Sequence, residues 1–427
     1  MNRLALFAFL FFIPAAVWAN GTDASKKEEP AWYDKIKIGG ELRLREENQL
    51  NYAPLTGLVD DDAFVLLRTR VSLLANPVEG LGLFIQPQFS RIFAQEESTI
   101  AGNADAGNPN NVFDLHQGYL DFTNIGGSVV SVRAGRQELF YGEGRMVGDF
   151  GWSNIGRSFD AGRIRLGWEK VTVDGFFSWN EKAAGNEYFS GLYGSWKVTP
   201  RMTYEPYVLG LFDNDGDGTA GVTGLKIVTI GDRMAGTCYK DRIDYSLEGA
   251  LQVGETEPNS HLAYAGHAAS GYTFDAAWKP RIGVEYNFAS GNDPGTARQE
   301  RFNNLFPTNH DKYGFIDFHS WRNIHDIGGG ISAKPSDKIS ARIDYHLFML
   351  PEPGDGLFRA SGALMRAGAA GASRLAGHEI DLLAKYQWNK WAGFLGGYSL
   401  YRGGGFFDDT GANGTAHFAY IQAQAGF

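Results

Sequence analysis

Arg242-Ile243-Asp244-Tyr245-Ser246-Leu247-Glu248-Gly249-Ala250-Leu251-Gln252-Val253 is the stretch that decides the fold. Ile243, Tyr245, Leu247, Leu251 and Val253 alternate along it with Arg242, Asp244, Ser246, Glu248 and Gln252. Successive side chains of a strand point to opposite faces, so this segment has one greasy face and one charged face when extended. The same alternation recurs in pieces of about ten residues from Ile36 to Phe427, with arginine repeatedly on the polar side. Two architectures use such strands. A soluble sandwich buries the apolar faces against each other, whereas a membrane barrel turns them to lipid and the polar faces to a lumen.

The amino terminus separates the two. Arg3, the apolar run Leu4 to Ile13 and the small-residue site Val17-Trp18-Ala19 have the form of a secretory signal peptide over residues 1–19. The acidic, lysine-containing segment Asp23 to Glu29 follows at once, which predicts a polar lead-in over residues 20–32 and one barrel domain over residues 33–427. No later segment holds eighteen consecutive apolar residues, which excludes helical spans. The 56 glycines, 30 phenylalanines, 19 tyrosines and 10 tryptophans suit tight turns and the aromatic girdles of an outer-membrane barrel. Cys238 is the single cysteine, so no disulfide framework supports this exported chain. The length left after the leader, at about 22 residues per strand with its connections, predicts roughly eighteen strands.

Connections fall into two kinds. Compact turn signals at Asn76 to Gly80, Asn124 to Ser128, Val198 to Pro200, Lys334 to Asp337 and Asn389-Lys390 predict periplasmic turns. Ala94 to Asn111, Gly254 to Gly271, Gly291 to His325 and Pro351 to Gly377 are too long for hairpins and predict extracellular loops, some folding inward. The final strand ends in Phe427, an aromatic terminus of the kind by which such barrels are recognised for assembly.

Phasing each strand by its apolar residues sends the charges inward. The basic set is Lys37, Arg43, Arg45, Arg68, Arg70, Arg133, Arg163, Arg165, Arg242, Arg281, Arg342 and Lys385; the acidic set is Glu41, Asp121, Asp174, Asp244, Glu248, Glu285, Asp344 and Asp381. Twelve against eight leaves four positive charges in excess, although the whole chain carries −10. A basic aqueous passage with low-dielectric walls concentrates anions, and the planar guanidinium grips carboxylates bidentately. Each arginine has a second reading, as a brace paired with an inward acid, for which Arg242 with Asp244 and Arg342 with Asp344 are the obvious pairs.

Arg133-Ala134-Gly135-Arg136-Gln137-Glu138-Leu139-Phe140-Tyr141-Gly142-Glu143-Gly144-Arg145-Met146-Val147-Gly148, continuing through Trp152-Ser153-Asn154 and Gly156-Arg157-Ser158-Phe159-Asp160-Ala161-Gly162-Arg163, resembles the alginate-export family of outer-membrane proteins. Arg281 to Gly291, followed by Phe302 to His310 and Tyr313-Gly314, resembles the same family. The resemblance implies an all-β barrel in the bacterial outer membrane that passes an acidic polysaccharide through an arginine-lined constriction. Arg136, Arg145, Arg157 and Arg163 are then pore candidates with Asp160 as an internal partner, and periplasmic and inner-membrane export components are implied partners. An anion-preferring porin for small organic acids is the alternative. A monomer in contact with lipid is expected, with no cofactor and no nucleic-acid partner.

Other signals are weaker. Asp213, Asp215 and Asp217 match the first half of a calcium loop, but Gly224 stands where a bidentate glutamate belongs. Ser320 with His319, His325, Asp317 and Asp326 is the nearest approach to a hydrolase constellation, and no Gly-x-Ser-x-Gly elbow accompanies it. The expectation is a conduit and not an enzyme.

Overall fold

The computed structural model describes residues 32–57, 61–93, 111–182, 185–213 and 224–427. The leader, almost all of the lead-in, the loop before Asn111, and Asp215 and Asp217 of the calcium-like motif lie outside the described residues. Eighteen strands form the wall. In chain order they are β1 (Ile36–Leu50), β2 (Asp62–Val78), β3 (Leu81–Phe93), β4 (Asn111–Phe122), β5 (Val130–Gln137) and β6 (Phe159–Gly167). Next come β7 (Val171–Lys182), β8 (Gly185–Thr199), β9 (Met202–Asp213), β10 (Leu225–Cys238), β11 (Ile243–Thr256) and β12 (Asn259–Thr273). The wall ends with β13 (Arg281–Ala289), β14 (Ile324–Ser336), β15 (Ile339–Met349), β16 (Leu375–Gln387), β17 (Ala392–Gly403) and β18 (Thr415–Gly426).

Each strand pairs antiparallel with its neighbours in sequence, and β18 returns to β1 from Glu41↔Gly426 to Leu50↔His417. Closure removes every unpaired strand edge, the condition for a sheet to stand in hydrocarbon. At the seam the amide and carbonyl of Gly40 bond those of Phe427 at 3.1 Å. A side chain at position 40 would strike the Phe427 ring, its Cβ lying 2.6 Å from the nearest ring atom. The terminal aromatic thus locks onto a glycine on the first strand.

The phase read from the sequence holds. On β11, Leu247, Leu251 and Val253 are 42, 45 and 38% exposed, while Glu248 and Gln252 are buried at 8 and 0%. Ile282, Val284, Ile331, Ile343 and Ile421 are exposed on other strands. Apolar surface this extensive has lipid as its partner. Exposed Trp168, Trp196, Trp278, Trp388 and Trp391 ring the end that carries the short turns. At the opposite end the outward hydroxyls of Tyr286, Tyr345 and Tyr398 meet Nδ1 of His325, His378 and His417 at 2.7, 2.6 and 2.7 Å. Aromatic residues with one polar end suit the two interfaces of a bilayer.

The five short turns expected from the sequence all fall at one end. The expected loop over residues 254–271 does not exist. β11 and β12 continue through it and reverse at Glu257-Pro258, from Thr256↔Asn259 to Ile243↔Tyr272. Its glycines and alanines suggest irregular backbone, yet the alternation persists, with Tyr264 exposed and His261, Ala263 and Ala265 buried. Segments 138–158, 290–323 and 350–374 are long connections at the extracellular end. Their Leu139, Met146, Val147, Phe302, Tyr313, Phe318, Trp321 and Leu357 are buried in one apolar cluster. The core of this protein therefore lies inside the cylinder, where its loops pack against inward strand residues such as Phe159, Phe176, Phe189 and Phe348.

Candidate functional site

The interior is organised by two walls and the loops between them. On β1 and β2 the register sets Arg43 opposite Arg68 and Glu41 opposite Arg70. Arg43, Arg45, Arg68 and Arg70 are 3, 2, 4 and 8% exposed, so they are almost wholly covered. What covers them is the segment Gly151 to Ile155, whose five consecutive carbonyls each accept a bond from the wall. Arg43 and Arg68 both donate to Gly151 O, at 2.8 and 3.1 Å, and to Ser153 O, at 2.7 and 2.9 Å. Arg45 donates to Trp152 O at 2.8 Å, Ser90 to Asn154 O at 2.9 Å and Arg70 to Ile155 O at 2.9 Å. Bonds from a charged donor contribute about 1.5–3 kcal/mol each, so the segment is firmly attached.

Acids balance part of this wall. Arg45 pairs with Glu47 at 2.6 Å, Arg68 with Glu41 at 2.7 Å and Arg70 with Glu138 at 3.5 Å. Glu47, on β1 and outside the inward acidic set counted above, is inward and 4% exposed. Glu47, Asp62, Glu187, Asp213, Asp326 and Glu379 are further buried carboxylates, against Arg145 as a further buried cation. The excess of positive charge counted from the sequence therefore does not persist over the whole interior, and the asymmetry is regional.

The other candidate residues divide by position. Arg133 pairs with Asp121 at 2.6 Å, and Arg163 and Arg165 share Asp174 at 3.9 and 2.6 Å. Arg281 takes Asp244 at 2.5 Å, so Arg242, in the turn before β11, pairs instead with Asp275 at 2.7 Å. Arg342 pairs with Asp344 at 2.5 Å as expected. Arg136 and Asp160 do form a pair, at 3.1 Å, but Asp160 shares its phase on β6 with exposed Ile164 and faces outward. The motif resemblance carries no facing information, and the alternation from Phe159 to Arg165 overrides it.

Arg145 and Arg157 lie in segment 138–158 and tie it down. Buried Arg145 donates to the Tyr313 hydroxyl at 3.2 Å and approaches Glu143 at 3.6 Å and His267 at 3.3 Å. Glu143 also receives Arg233 at 2.7 Å and Ser246 at 2.8 Å. Burial raises its carboxyl pKa, but Arg145 and Arg233 outweigh that and hold it at about 2. Arg157 donates to Pro307 O at 2.8 Å, joining the segment to its neighbour 290–323. The two segments also pair through backbone, Gly148 N to Phe306 O at 2.8 Å and Phe306 N to Met146 O at 3.0 Å.

Where they meet, an aromatic septum forms. The Trp152 ring stacks on His310 with centroids 3.8 Å apart and planes 11° from parallel, and the Arg45 guanidinium lies 3.6 Å from its centroid. His310 Nδ1 lies 2.9 Å from Asp317 Oδ2. Trp152 and Phe315 line a cavity of about 90 Å³ on the extracellular side, with Arg45, Tyr52, Phe150 and Phe318. They also line a cavity of about 590 Å³ on the periplasmic side, with Arg43, Arg68, Lys334, Arg342 and Lys385. A second periplasmic cavity of about 680 Å³ holds Arg145, Arg201, Arg233 and Arg281 against Glu143, Glu205, Asp244 and Glu285.

The hydrolase constellation does not assemble. Ser320 donates to Phe358 O at 3.3 Å, buried His319 meets the Tyr401 hydroxyl at 3.1 Å, and His325 faces outward to Tyr286. Asp213 is buried at the end of β9.

A closed eighteen-strand cylinder with a lipid-facing apolar surface, inward loops and a periplasmic vestibule defines an outer-membrane channel of the porin type. Solved structures agree on the fold. OccK5 (OpdH) of Pseudomonas aeruginosa is similar with a TM-score of 0.62 at 8% identity, covering 93% of this chain and 99% of that one. The outer-membrane protein OprD of Pseudomonas aeruginosa gives 0.61 at 11% identity, covering 94% and 95%. OccK3 (OpdO) of the same organism gives 0.60 at 12%, covering 92% and 96%. No curated protein matches the sequence. The alginate export family matches over residues 34–420, and the chain belongs to that family.

Proposed function

We propose that the channel passes anions, and that its cargo is an alginate-like acidic polysaccharide leaving the cell through the periplasmic vestibule. The observation that carries this reading is the cavity beneath Trp152. Five basic side chains, Arg43, Arg68, Lys334, Arg342 and Lys385, line it against two acids, Asp149 and Asp311. Lys334 and Lys385 have no carboxylate within 4.0 Å among the described residues, so their charge is available to a passing anion. The neighbouring cavity balances four arginines with four acids. A polyanion entering from the periplasm meets Lys334, Lys385 and Arg43, while Arg68 and Arg342 are paired with Glu41 and Asp344, and low-dielectric walls strengthen the remaining positive field. Arg43, Arg68 and Arg342 belong to this path; Arg45 and Arg70 act as framework beneath the loop.

Bilayer recordings test the reading. Wild-type protein in a salt gradient is expected to show an anion-selective reversal potential and block by oligouronate added on the periplasmic side. Replacing Lys334, Arg342 and Lys385 together by glutamine is expected to abolish most of both. A reversal potential unchanged by the triple replacement sinks the proposal. A second reading, small organic acids as cargo, draws support from the narrow cavity of about 90 Å³ above the septum. Permeation of small acids without block by oligouronate would select it.

A further inference from the structure

The inner face of β13 to β16 carries a concentration of carboxylates that the anion path does not use. Glu285 on β13, Asp326 on β14 and His346 on β15 bring one ligand atom each to within 4.8 Å of one another. His346 Nδ1 lies 2.9 Å from Asp326 Oδ1 and 3.9 Å from Glu285 Oε1. Asp326 and His346 are 0 and 5% exposed. Their orientation is fixed from behind: Asn287 donates to Asp326 Oδ2 at 2.8 Å, and the His346 ring lies 3° from parallel with Phe348.

Within the trio two carboxylates face one imidazole, which pairs with Asp326 when protonated; beyond it the charge is unbalanced. No lysine or arginine nitrogen lies within 4.0 Å of Glu285, Asp326, Glu379 or Asp381 among the described residues. Glu379, the register partner of His346, is 0% exposed, as is Asp381. Glu379 Oε2 and Asp381 Oδ2 are buried with no donor. Buried carboxylates without a counter-ion cost several kcal/mol each in effective desolvation. A bound cation is the direct remedy.

We propose that Glu285, Asp326 and His346 form a divalent transition-metal site of the zinc class inside the barrel wall. One imidazole with two carboxylates suits Zn²⁺ better than the all-oxygen preference of Ca²⁺. Zinc bonds of about 2.0–2.2 Å in a tetrahedron separate ligand atoms by about 3.4 Å. The two distances from His346, 2.9 and 3.9 Å, bracket that separation, and the carboxylates of Glu285 and Asp326 lie within 4.8 Å of each other. A fourth position is left for water or for the adjoining carboxylates. The ion would staple three consecutive strands on the acidic side of the lumen, a structural role separate from anion passage.

The test uses the full-length barrel in detergent, stripped with chelator, titrated with Zn²⁺ alone and desalted before metal analysis. About one tightly held zinc per barrel is expected in the wild type. His346→Gln and Asp326→Asn are each expected to weaken retention at least tenfold while the barrel keeps its heat-modifiable mobility. X-ray absorption at the zinc edge of the wild type is expected to show one imidazole and otherwise oxygen in the first shell. Failure of the wild type to retain zinc, a first shell without imidazole, or unchanged retention in folded variants would overturn the site. The absorption spectrum decides the matter even where the variants do not fold.

Discussion

The arginine wall of β1 and β2 and the carboxylate wall of β13 to β16 face the same lumen with opposite outcomes. On the first, guanidinium groups meet the uncharged carbonyls of Gly151 to Ile155, and neutral acceptors let several cations sit side by side. On the second, carboxylates meet one another. Glu379 finds the amide of Ile316 at 2.9 Å, and Gly314, with φ of +83°, leaves room for it where any side chain would collide. Asp381 accepts from Ser399 and meets Glu379 side chain to side chain. Backbone can satisfy either sign of charge, but a five-donor guanidinium finds partners more readily than a carboxylate waiting for amides. Arg43 Nε apart, the basic wall is therefore largely satisfied by the protein itself, whereas the acidic wall still needs a proton or a cation.

The sharpest way to break this contrast is Arg43→Ala with Arg68→Ala. Four bonds to Gly151 O and Ser153 O disappear, a loss on the order of 5 kcal/mol. Segment 138–158 should leave the lumen, and single-channel conductance should rise several-fold; unchanged conductance would show that the arginines do not hold the loop.

A smaller effect is expected from Glu143, on the far side of the same loop. Its carboxyl is depressed from 4.5 to about 2, so its contribution is complete above the unfolded value and is lost as pH falls through the folded one. With partial exposure discounted, that contribution is on the order of 2 kcal/mol. Conductance should stay low at pH 4 and rise only towards pH 2, whereas Glu143→Gln should conduct more already at neutral pH. A wild-type transition centred near pH 4.5 would contradict the pairing with Arg145 and Arg233.

Removing charge should act with opposite sign on the two walls. In metal-free protein, Glu379→Gln keeps an acceptor for the Ile316 amide and removes an uncompensated charge, so urea unfolding is expected to shift up by about 1 kcal/mol. Arg68→Gln should shift it down. Equal signs would erase the contrast. The smallest effect belongs to the outer surface, where Tyr345→Phe loses the His378 bond and should cost about 0.5–1 kcal/mol in the same titration, with selectivity unchanged.

Strand number, facing and sidedness were readable because each wall strand answers to two solvents at once, and alternation records that demand residue by residue. The interior was less readable. Arg43 and Arg68 announce an inward face, but nothing in a strand's own pattern says that a loop a hundred residues away will cover it. The apolar content of segment 290–323, which packs against that cover, was a usable clue in Phe302, Phe306, Tyr313, Phe315, Phe318 and Trp321, since water-exposed loops do not carry so many aromatics. Arg136 and Asp160 were misplaced because motif identity outranked the phase of Ile164. Glu379 and Asp381 share one phase with Lys385, so the acidic wall could be traced along β16; its meeting with Asp326 and His346 depends on register, which only the paired sheet supplies.

Since the arginines grip main-chain oxygen, the identity of the side chains at Gly151, Ser153 and Ile155 is largely irrelevant to the grip. Evolutionary drift is thus free to rewrite those positions and retune what the passage admits. The anchoring guanidinium groups have less freedom, because losing Arg45 or Arg70 strands a carbonyl and losing Arg43 together with Arg68 strands two. Natural variants of this chain should be variable in the loop and constant on the wall behind it.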